Sequence, residues 1–185
     1  MFHSIHARVA APASNAWILA KTLTQIALFW NVFLLVIPAQ ILQLEVLLGL
    51  DGWLPTNFAM QLSGSVIFSL FGILGGVSAL AMAVEGHGTP MPQDCARDLV
   101  VVGPYRYVRN PMAIAGLTQA VGVGLLCGSA WVVAYALTGM LVWQLAVRPW
   151  EEADLVNRFG DSYRDYQKAV RCWIPTFPGY VAKRG

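Results

Sequence analysis

Three long apolar stretches, separated by shorter polar segments, dominate the pattern of the chain. The first covers residues 17–44 and carries a single charge, Lys21. The second, 58–84, and the third, 111–147, carry no charged residue. Because about 20 apolar residues cross a bilayer as a helix, each stretch predicts at least one membrane span.

Prolines and glycines subdivide these stretches. The first span is expected over 17–37, where Pro38 either kinks or ends it, and segment 39–50 either extends the helix or lies at the interface. The third stretch is too long for one span, and Gly128-Ser129 divides it into a tight hairpin of two helices. Glycines on the second span favour close helix packing, and those on the hairpin suit close packing or the approach of a ligand. The pattern therefore predicts four transmembrane helices.

The chain becomes polar after the third stretch, but apolar residues still recur at helical spacing. Pro149 either kinks the last span or lies in the first turn of a new helix. Charged residues cover the other faces, so we expect an amphipathic helix at the membrane surface or over a pocket. Gly160 interrupts its centre. The apolar stripe consists of Leu155, Phe159, Tyr163, Tyr166 and Val170.

Composition places the chain among small integral membrane proteins. It has 185 residues, of which 12% are charged, whereas soluble domains carry about 25% charged residues. The net charge of +2, without a basic run, argues against a nucleic-acid partner. Residues 1–16 lack the pattern of a secretory signal, so we expect the first span to be retained. Three widely spaced cysteines, at 95, 127 and 172, predict neither a disulfide framework nor a metal site.

Lysine and arginine are distributed unevenly among the polar segments. The turn around Asp51 contains none, whereas segment 85–110 and the tail from Arg148 to Arg184 contain most of them. Short cytoplasmic loops carry the excess of Lys and Arg. With four spans, both termini and segment 85–110 therefore lie in the cytoplasm, and this segment meets the tail on one side of the membrane.

Two clusters of polar residues at the membrane boundary are candidates for chemistry. One reads LVVVGPYRYVRNP over 99–111, and the other reads RPWEE over 148–152. Charges at such a boundary cost desolvation free energy unless they are paired, which makes both clusters candidate sites. Arg148 and Glu152 are four residues apart, so a helix places them on one face. The same residues also suit interfacial anchors and a surface salt bridge, and the pattern alone leaves both roles open.

The two clusters resemble motifs of the isoprenylcysteine carboxyl methyltransferase and phospholipid methyltransferase family. Residues 99–111 match the pattern LV-x-x-GPY-x-x-x-RHP, and 151–175 match EE-x-x-L-x-x-x-FG-x-x-Y-x-x-Y-x-x-x-V-x-x-x-IP. GTPMP at 88–92 is similar to the GTP-x-P of a bacterial branch. The chain departs from the pattern at Asn110, where the family has His, and after Pro111, where Met-Ala-Ile replaces a common Tyr. Asn donates and accepts hydrogen bonds but cannot act as a base.

The resemblance implies an all-α integral membrane fold that uses S-adenosyl-L-methionine (SAM) to methylate a lipid or small apolar acceptor. Region 1–84 would supply two N-terminal spans, and 85–185 the catalytic region, with SAM between the hairpin and the tail helix. Arg148 and Arg109 would be catalytic, with Arg148 facing the reacting end of the substrate, and no metal is implied. The cofactor-binding residues would be Arg97, Asp98, Leu99, Val100, Tyr105, Asn110, Pro111, Met112, Ala113 and Glu152.

The same resemblance predicts a location in a bacterial inner (plasma) membrane with a cytoplasmic active site. The chain lacks the additional N-terminal spans of the eukaryotic prenylcysteine enzymes, so we do not expect a prenylated protein as substrate. Two alternatives stay open at this stage. One is an NADPH-dependent reductase of the steroid-reductase type, and the other is a non-catalytic membrane protein that serves packing or a partner. The sequence leaves the oligomeric state open.

Overall fold

The computed structural model describes residues 8–91 and 94–182, and helices account for most of this part of the chain. Its elements are mainly α-helical, which confirms the predicted all-α fold. Residues 1–7, Pro92, Lys183 and Arg184 lie outside the described residues. The helices are α1 (Asn15–Asn31), α2 (Ile37–Leu48), α3 (Phe58–Glu85), α4 (Pro111–Cys127), α5 (Ala130–Val142) and α6 (Arg148–Ala169), with π-helical turns at Val32–Val36 and Trp143–Val147 and a 3-10 turn at Gly103–Arg106.

Within the described ranges, three helical stretches are long and apolar enough to cross a membrane: Asn15–Leu48, Phe58–Glu85 and Ala130–Ala169. In the third, the apolar part is the charge-free 130–147, because nine of the 22 residues of α6 are charged. Helix α4 is apolar but has only 17 residues. At 1.5 Å per residue it is about 26 Å long, which is somewhat shorter than the roughly 30 Å hydrocarbon core. The count of four spans stays a prediction.

Each π-helical turn directly precedes a helix whose second residue is proline. Ile37 donates its N–H to the Val32 carbonyl, five residues earlier, and Pro38 follows. Proline lacks an N–H, and its ring crowds the carbonyl four residues before it. The wider π turn accommodates this ring without ending the helix. Residues 39–48 therefore extend the first helix, and Pro149 occupies the corresponding position in α6.

The chain forms two compact units, each assembled from separate stretches. The hairpin unit comprises 26–75 and 112–147, and the loop–tail unit comprises the described residues of 1–25, 76–111 and 148–185. The predicted division at residue 84 concerns function and stays a prediction.

Glycines allow close helix contacts inside the hairpin unit. A Cβ on Gly64 would lie 2.7 Å from the Gly122 carbonyl oxygen, and Gly116 leaves room for the Trp30 ring. The small-residue face of α4 is thus used for helix packing. Ser129 caps α5 by accepting a hydrogen bond from the Val132 N–H at 2.9 Å, which confirms the predicted hairpin turn. The core residues are Leu34, Ala120, Val123, Val132 and Ala136.

In the loop–tail unit, the apolar stripe of α6 packs against the segment that precedes α4. Tyr163, Tyr166 and Val170 are buried, and Leu99 and Val101 lie against them. Gly160 breaks α6 with φ +55° and ψ −128°. Because L-residues strongly disfavour this backbone conformation, a glycine occupies the kink that divides the helix into two parts, as its position in the sequence predicts.

Candidate functional site

The candidate site begins in the loop between α3 and α4, which folds back on the end of α3. The Gly86 carbonyl accepts hydrogen bonds from the N–H groups of Arg97 (2.6 Å) and Asp98 (3.2 Å). Both side chains are exposed, and Asp98 Oδ2 lies 3.0 Å from His87 Nδ1. These two predicted cofactor residues therefore present their side chains to solvent from a fixed backbone.

The next predicted residues face inward. Val100 and Tyr105 are buried in one cluster with Ala96, whereas Leu99 packs against the α6 stripe. Burial raises the pKa of the Tyr105 hydroxyl far above its ordinary value, and the nearby Glu151 carboxylate raises it further. Tyr105 is therefore neutral at physiological pH, and these three residues contribute mainly shape to the site.

Hydrogen bonds connect residues 105–109 to the tail. The Tyr166 hydroxyl donates to the Tyr105 carbonyl at 2.6 Å, and the Arg109 N–H donates to the Arg171 carbonyl at 3.0 Å. The N–H of Thr176 adds a bond of 2.8 Å to the Tyr107 carbonyl. The first motif is thereby held against the second along several residues.

The carboxylate of Glu152 is the meeting point of the two motifs. Its Oε1 lies 2.7 Å from Arg109 Nη1 and 3.0 Å from Arg148 Nε. Its Oε2 accepts a hydrogen bond of 2.9 Å from Gln167 Nε2. Because the Arg109 side chain is only 9% exposed, loss of this carboxylate would leave a buried charge without compensation. The structure thus joins three predicted site residues directly.

A second carboxyl group lies beside the first. Asn110 Nδ2 donates to Glu151 Oε2 at 3.0 Å. Burial raises the pKa of Glu151 to about 7, and this rise outweighs the lowering effect of the Asn110 hydrogen bond, with further raising by Glu152 and Asp154. Glu151 belongs to α6 beyond the apolar part of that helix. Its carboxyl group therefore changes charge near neutral pH.

An open groove of about 320 Å³ lies beside Glu152 within the loop–tail unit. Four cationic side chains line it, together with one indole ring and several apolar groups. Guanidinium groups bind carboxylates and phosphates through charge-assisted hydrogen bonds, so the groove suits an anionic group. Its lining residues are Arg109, Arg148, Gln167, Lys168, Val170, Arg171, Cys172, Trp173 and Ile174.

Comparison with known proteins identifies the family. Residues 62–162, more than half of the chain, match the phospholipid methyltransferase family. The chain belongs to this family. A protein-S-isoprenylcysteine O-methyltransferase from Schizosaccharomyces pombe is 38% identical over 82 residues, which cover 43% of this chain and 34% of that protein. The match thus spans about a third of the length of this relative, and it confirms the predicted resemblance.

Membership of the phospholipid methyltransferase family agrees with the apolar helices, and the chain is an integral membrane protein. The family motifs lie mainly in the loop–tail unit, where Pro111 is buried at the start of α4. Met112 and Ala113 continue that first turn and belong to the hairpin unit.

Several residues of the candidate site had no predicted role. Gln167 and Glu151 contact Glu152 and Asn110, respectively. Arg158 donates to the Ala96 carbonyl at 3.0 Å and pairs with Asp154 at 3.0 Å. The i,i+4 spacing of Asp154 and Arg158 was a signal for that pair, but the contact with Ala96 joins residues 62 positions apart and has no local signature.

Proposed function

We propose that this chain is a SAM-dependent methyltransferase of the membrane whose acceptor is a lipid or small apolar molecule with an anionic end. One observation carries the proposal: Arg109 from segment 99–111 and Arg148 and Gln167 from α6 converge on the Glu152 carboxylate. A shared carboxylate beside a cationic groove offers charges of both signs, which suit a charged donor and a charged acceptor.

The chemistry of the residues fits SAM. SAM has a carboxylate, an ammonium group, a ribose diol and a cationic sulfonium. The cationic side chains of the groove suit the carboxylate, Glu152 suits the hydroxyl or ammonium hydrogens, and the Trp173 ring suits the sulfonium. We propose that 97–100, Tyr105, Asn110, Pro111 and Glu152 hold the cofactor.

When bound, SAM supplies an electrophilic methyl group. The chain's own contribution is to hold donor and acceptor in line and to exclude water. Glu152 fixes the guanidinium of Arg148 through the 3.0 Å contact, so that the remaining N–H groups of Arg148 can orient an anionic acceptor. The neutral Tyr105 hydroxyl adds no charge that would compete with it.

The proposed acceptor class agrees with the names of the matched proteins. The family name specifies a phospholipid, and the fungal relative is named for O-methylation of an isoprenylcysteine. A carboxylate or phosphate at one end of an apolar molecule is common to both chemistries, and it matches the charge of the groove.

Ligand binding and methyl transfer test this function. Purified protein in detergent should bind S-adenosylhomocysteine in the micromolar range, and labelled SAM should transfer its methyl group into a total lipid extract. Mass spectrometry of the labelled species then identifies the acceptor. Binding of NADPH without binding of S-adenosylhomocysteine would instead support a reductase and exclude the proposed activity.

Replacing Glu152 by Gln tests the residue at the centre of the site. We expect S-adenosylhomocysteine to bind about 10- to 100-fold more weakly, because a hydrogen bond to a charged group contributes about 1.5–3 kcal/mol. Asp165→Asn is the matched control, since it removes a 68% exposed carboxylate from the same helix. Thermal midpoints establish that both variants fold. Equal affinity in Glu152→Gln and the control would remove Glu152 from the cofactor site.

A further inference from the structure

The segment that precedes α1 is bonded to the loop that precedes α4. The Cys95 N–H donates to the Arg8 carbonyl at 2.9 Å, and the Ala10 N–H donates to the Cys95 carbonyl at 3.1 Å. These bonds form a short parallel bridge between Val9 and Cys95. These backbone bonds place the segment before α1 directly against Cys95.

A side-chain contact from α1 reaches the same loop. Lys21 Nζ lies 2.6 Å from Asp94 Oδ2, and the two side chains are 33% and 17% exposed. Lys21 is the single charge in the apolar stretch 17–44. Because an ammonium group in an apolar environment is costly unless it is paired, this ion pair ties α1 firmly to Asp94.

Further hydrogen bonds and one close backbone contact also hold this loop. The Asp94 carbonyl accepts the Thr89 N–H at 2.7 Å, and the Ala96 carbonyl accepts from Arg158 Nη1 at 3.0 Å. A Cβ on Gly88 would lie 2.6 Å from Ala96 Cα, so the two sides of the loop are in direct backbone contact. The residues that follow this fixed stretch are 97–100, which we propose to contact SAM.

We propose that Lys21 and Asp94 form a positioning pair. The pair holds the cofactor loop, residues 94–100, in its SAM-binding conformation. This inference rests on the proposed function, and neither residue touches the reacting atoms. Without the pair, the loop spends part of its time in other conformations, and the apparent affinity falls in proportion to the competent fraction. The effect therefore appears in the dissociation constant and in KM for SAM, while kcat at saturating SAM changes little.

Lys21→Met is the main variant, because methionine keeps the apolar stem and removes the charge. We expect S-adenosylhomocysteine to bind about tenfold more weakly, KM for SAM to rise by a similar factor, and kcat to stay within about twofold. The double variant Lys21→Asp/Asp94→Lys restores the pair with reversed charges and should recover most of the affinity. Arg164→Met is the control, since it breaks an ion pair whose side chains are 53% and 92% exposed.

Alkylation of Cys95 provides a readout that needs no ligand or activity. Cys95 Sγ lies 3.4 Å from the Arg8 carbonyl, so opening of the loop should increase its alkylation rate several-fold in Lys21→Met and not in Arg164→Met. Mass spectrometry separates its labelling from that of Cys127 and Cys172. Recovery of the original rate in the charge-reversed variant would support the pair as the cause.

The outcomes separate this inference from the proposed function. Unchanged Cys95 labelling in Lys21→Met would overturn it, and so would increased labelling with unchanged S-adenosylhomocysteine affinity, since the loop would then open without affecting the cofactor. A fall in kcat without a change in affinity would also overturn it. Absence of S-adenosylhomocysteine binding in the unsubstituted protein would overturn the proposed function, while the labelling would still decide whether the pair holds the loop.

Discussion

The carboxyl group of Glu151 accepts a hydrogen bond from the amide of Asn110. Asn110 stands where the family pattern has His. An amide donates a hydrogen bond but carries no charge, so it offsets little of the cost of burying a carboxylate. Burial therefore dominates, and the pKa of Glu151 is raised to about 7. The Asn110 hydrogen bond therefore lowers the pKa of Glu151 by less than burial raises it.

This raised pKa predicts a pH-dependent stability. The ordinary value is 4.5 and the folded value is about 7, so the folded protein holds the Glu151 proton more tightly than the unfolded chain. The stabilisation is complete below pH 4.5 and is lost as pH rises through 7. We expect the thermal midpoint to decrease as the pH is raised from 5 to 8, and to decrease less in Glu151→Gln. The difference between the two decreases should correspond to at most about 3 kcal/mol in the free energy of unfolding.

Thermal scans at one fixed rate in the same detergent measure this difference. Asp161→Asn serves as the control. Because the Asp161 side chain is 92% exposed, this substitution should leave the dependence of the thermal midpoint on pH unchanged. Parallel profiles of the original protein and Glu151→Gln would show that Glu151 does not titrate as expected.

At the scale of the element, the helices are interrupted in two different ways. The π turns before Pro38 and Pro149 keep a helix continuous, whereas Gly160 divides α6 through its backbone conformation alone. Nothing lies within 4 Å of a Cβ built on Gly160. The requirement for glycine there is therefore conformational and not steric.

Gly160→Ala should destabilise the protein by about 1–3 kcal/mol, because alanine disfavours this region of φ and ψ. Gly76→Ala is a matched control in α3, where a Cβ also meets nothing within 4 Å but the backbone is helical. That substitution should stabilise slightly, by up to about 1 kcal/mol. Equal shifts of the thermal midpoint in the two variants would contradict the conformational explanation.

At the scale of the whole molecule, exposed apolar side chains indicate where lipid contacts the protein. Side chains on the long helices, among them Leu28, Leu47 and Ile73, are 65–80% exposed. Soluble proteins rarely expose large contiguous apolar surfaces, and these residues lie on the helices that are long enough to span a membrane. The orientation in the membrane rests on the distribution of Lys and Arg.

Cysteine labelling tests this orientation. In a variant without native cysteines, Asp51→Cys should react with a membrane-impermeant thiol reagent in intact bacterial cells. Asp161→Cys should react only after permeabilisation, because the tail is expected in the cytoplasm. Both side chains are exposed, so a lack of reaction reflects the membrane barrier. Labelling of Asp161→Cys in intact cells would reverse the proposed orientation.

The sequence by itself determined the local elements and the family. Charge-free runs of membrane length, the Gly128-Ser129 turn and the helical stripe of α6 are encoded within a few residues of each other. The break at Gly160 and the start of α4 at Pro111 followed from the conformational limits of single residues. Two motifs in fixed order and spacing were sufficient to indicate the phospholipid methyltransferase family.

Only the tertiary structure decided how these parts meet. Whether the chain stays helical beyond Pro38 depended on a π turn that the sequence pattern does not reveal. The contacts of Glu152 with Arg109 and Gln167 join residues 43 and 15 positions apart, and the ion pair between Lys21 and Asp94 spans 73. Periodicity specifies which face of a helix is apolar. Which charged residue from a distant part of the sequence lies opposite a given charge depends on packing. Desolvated ionic groups are stable only where the fold supplies a partner.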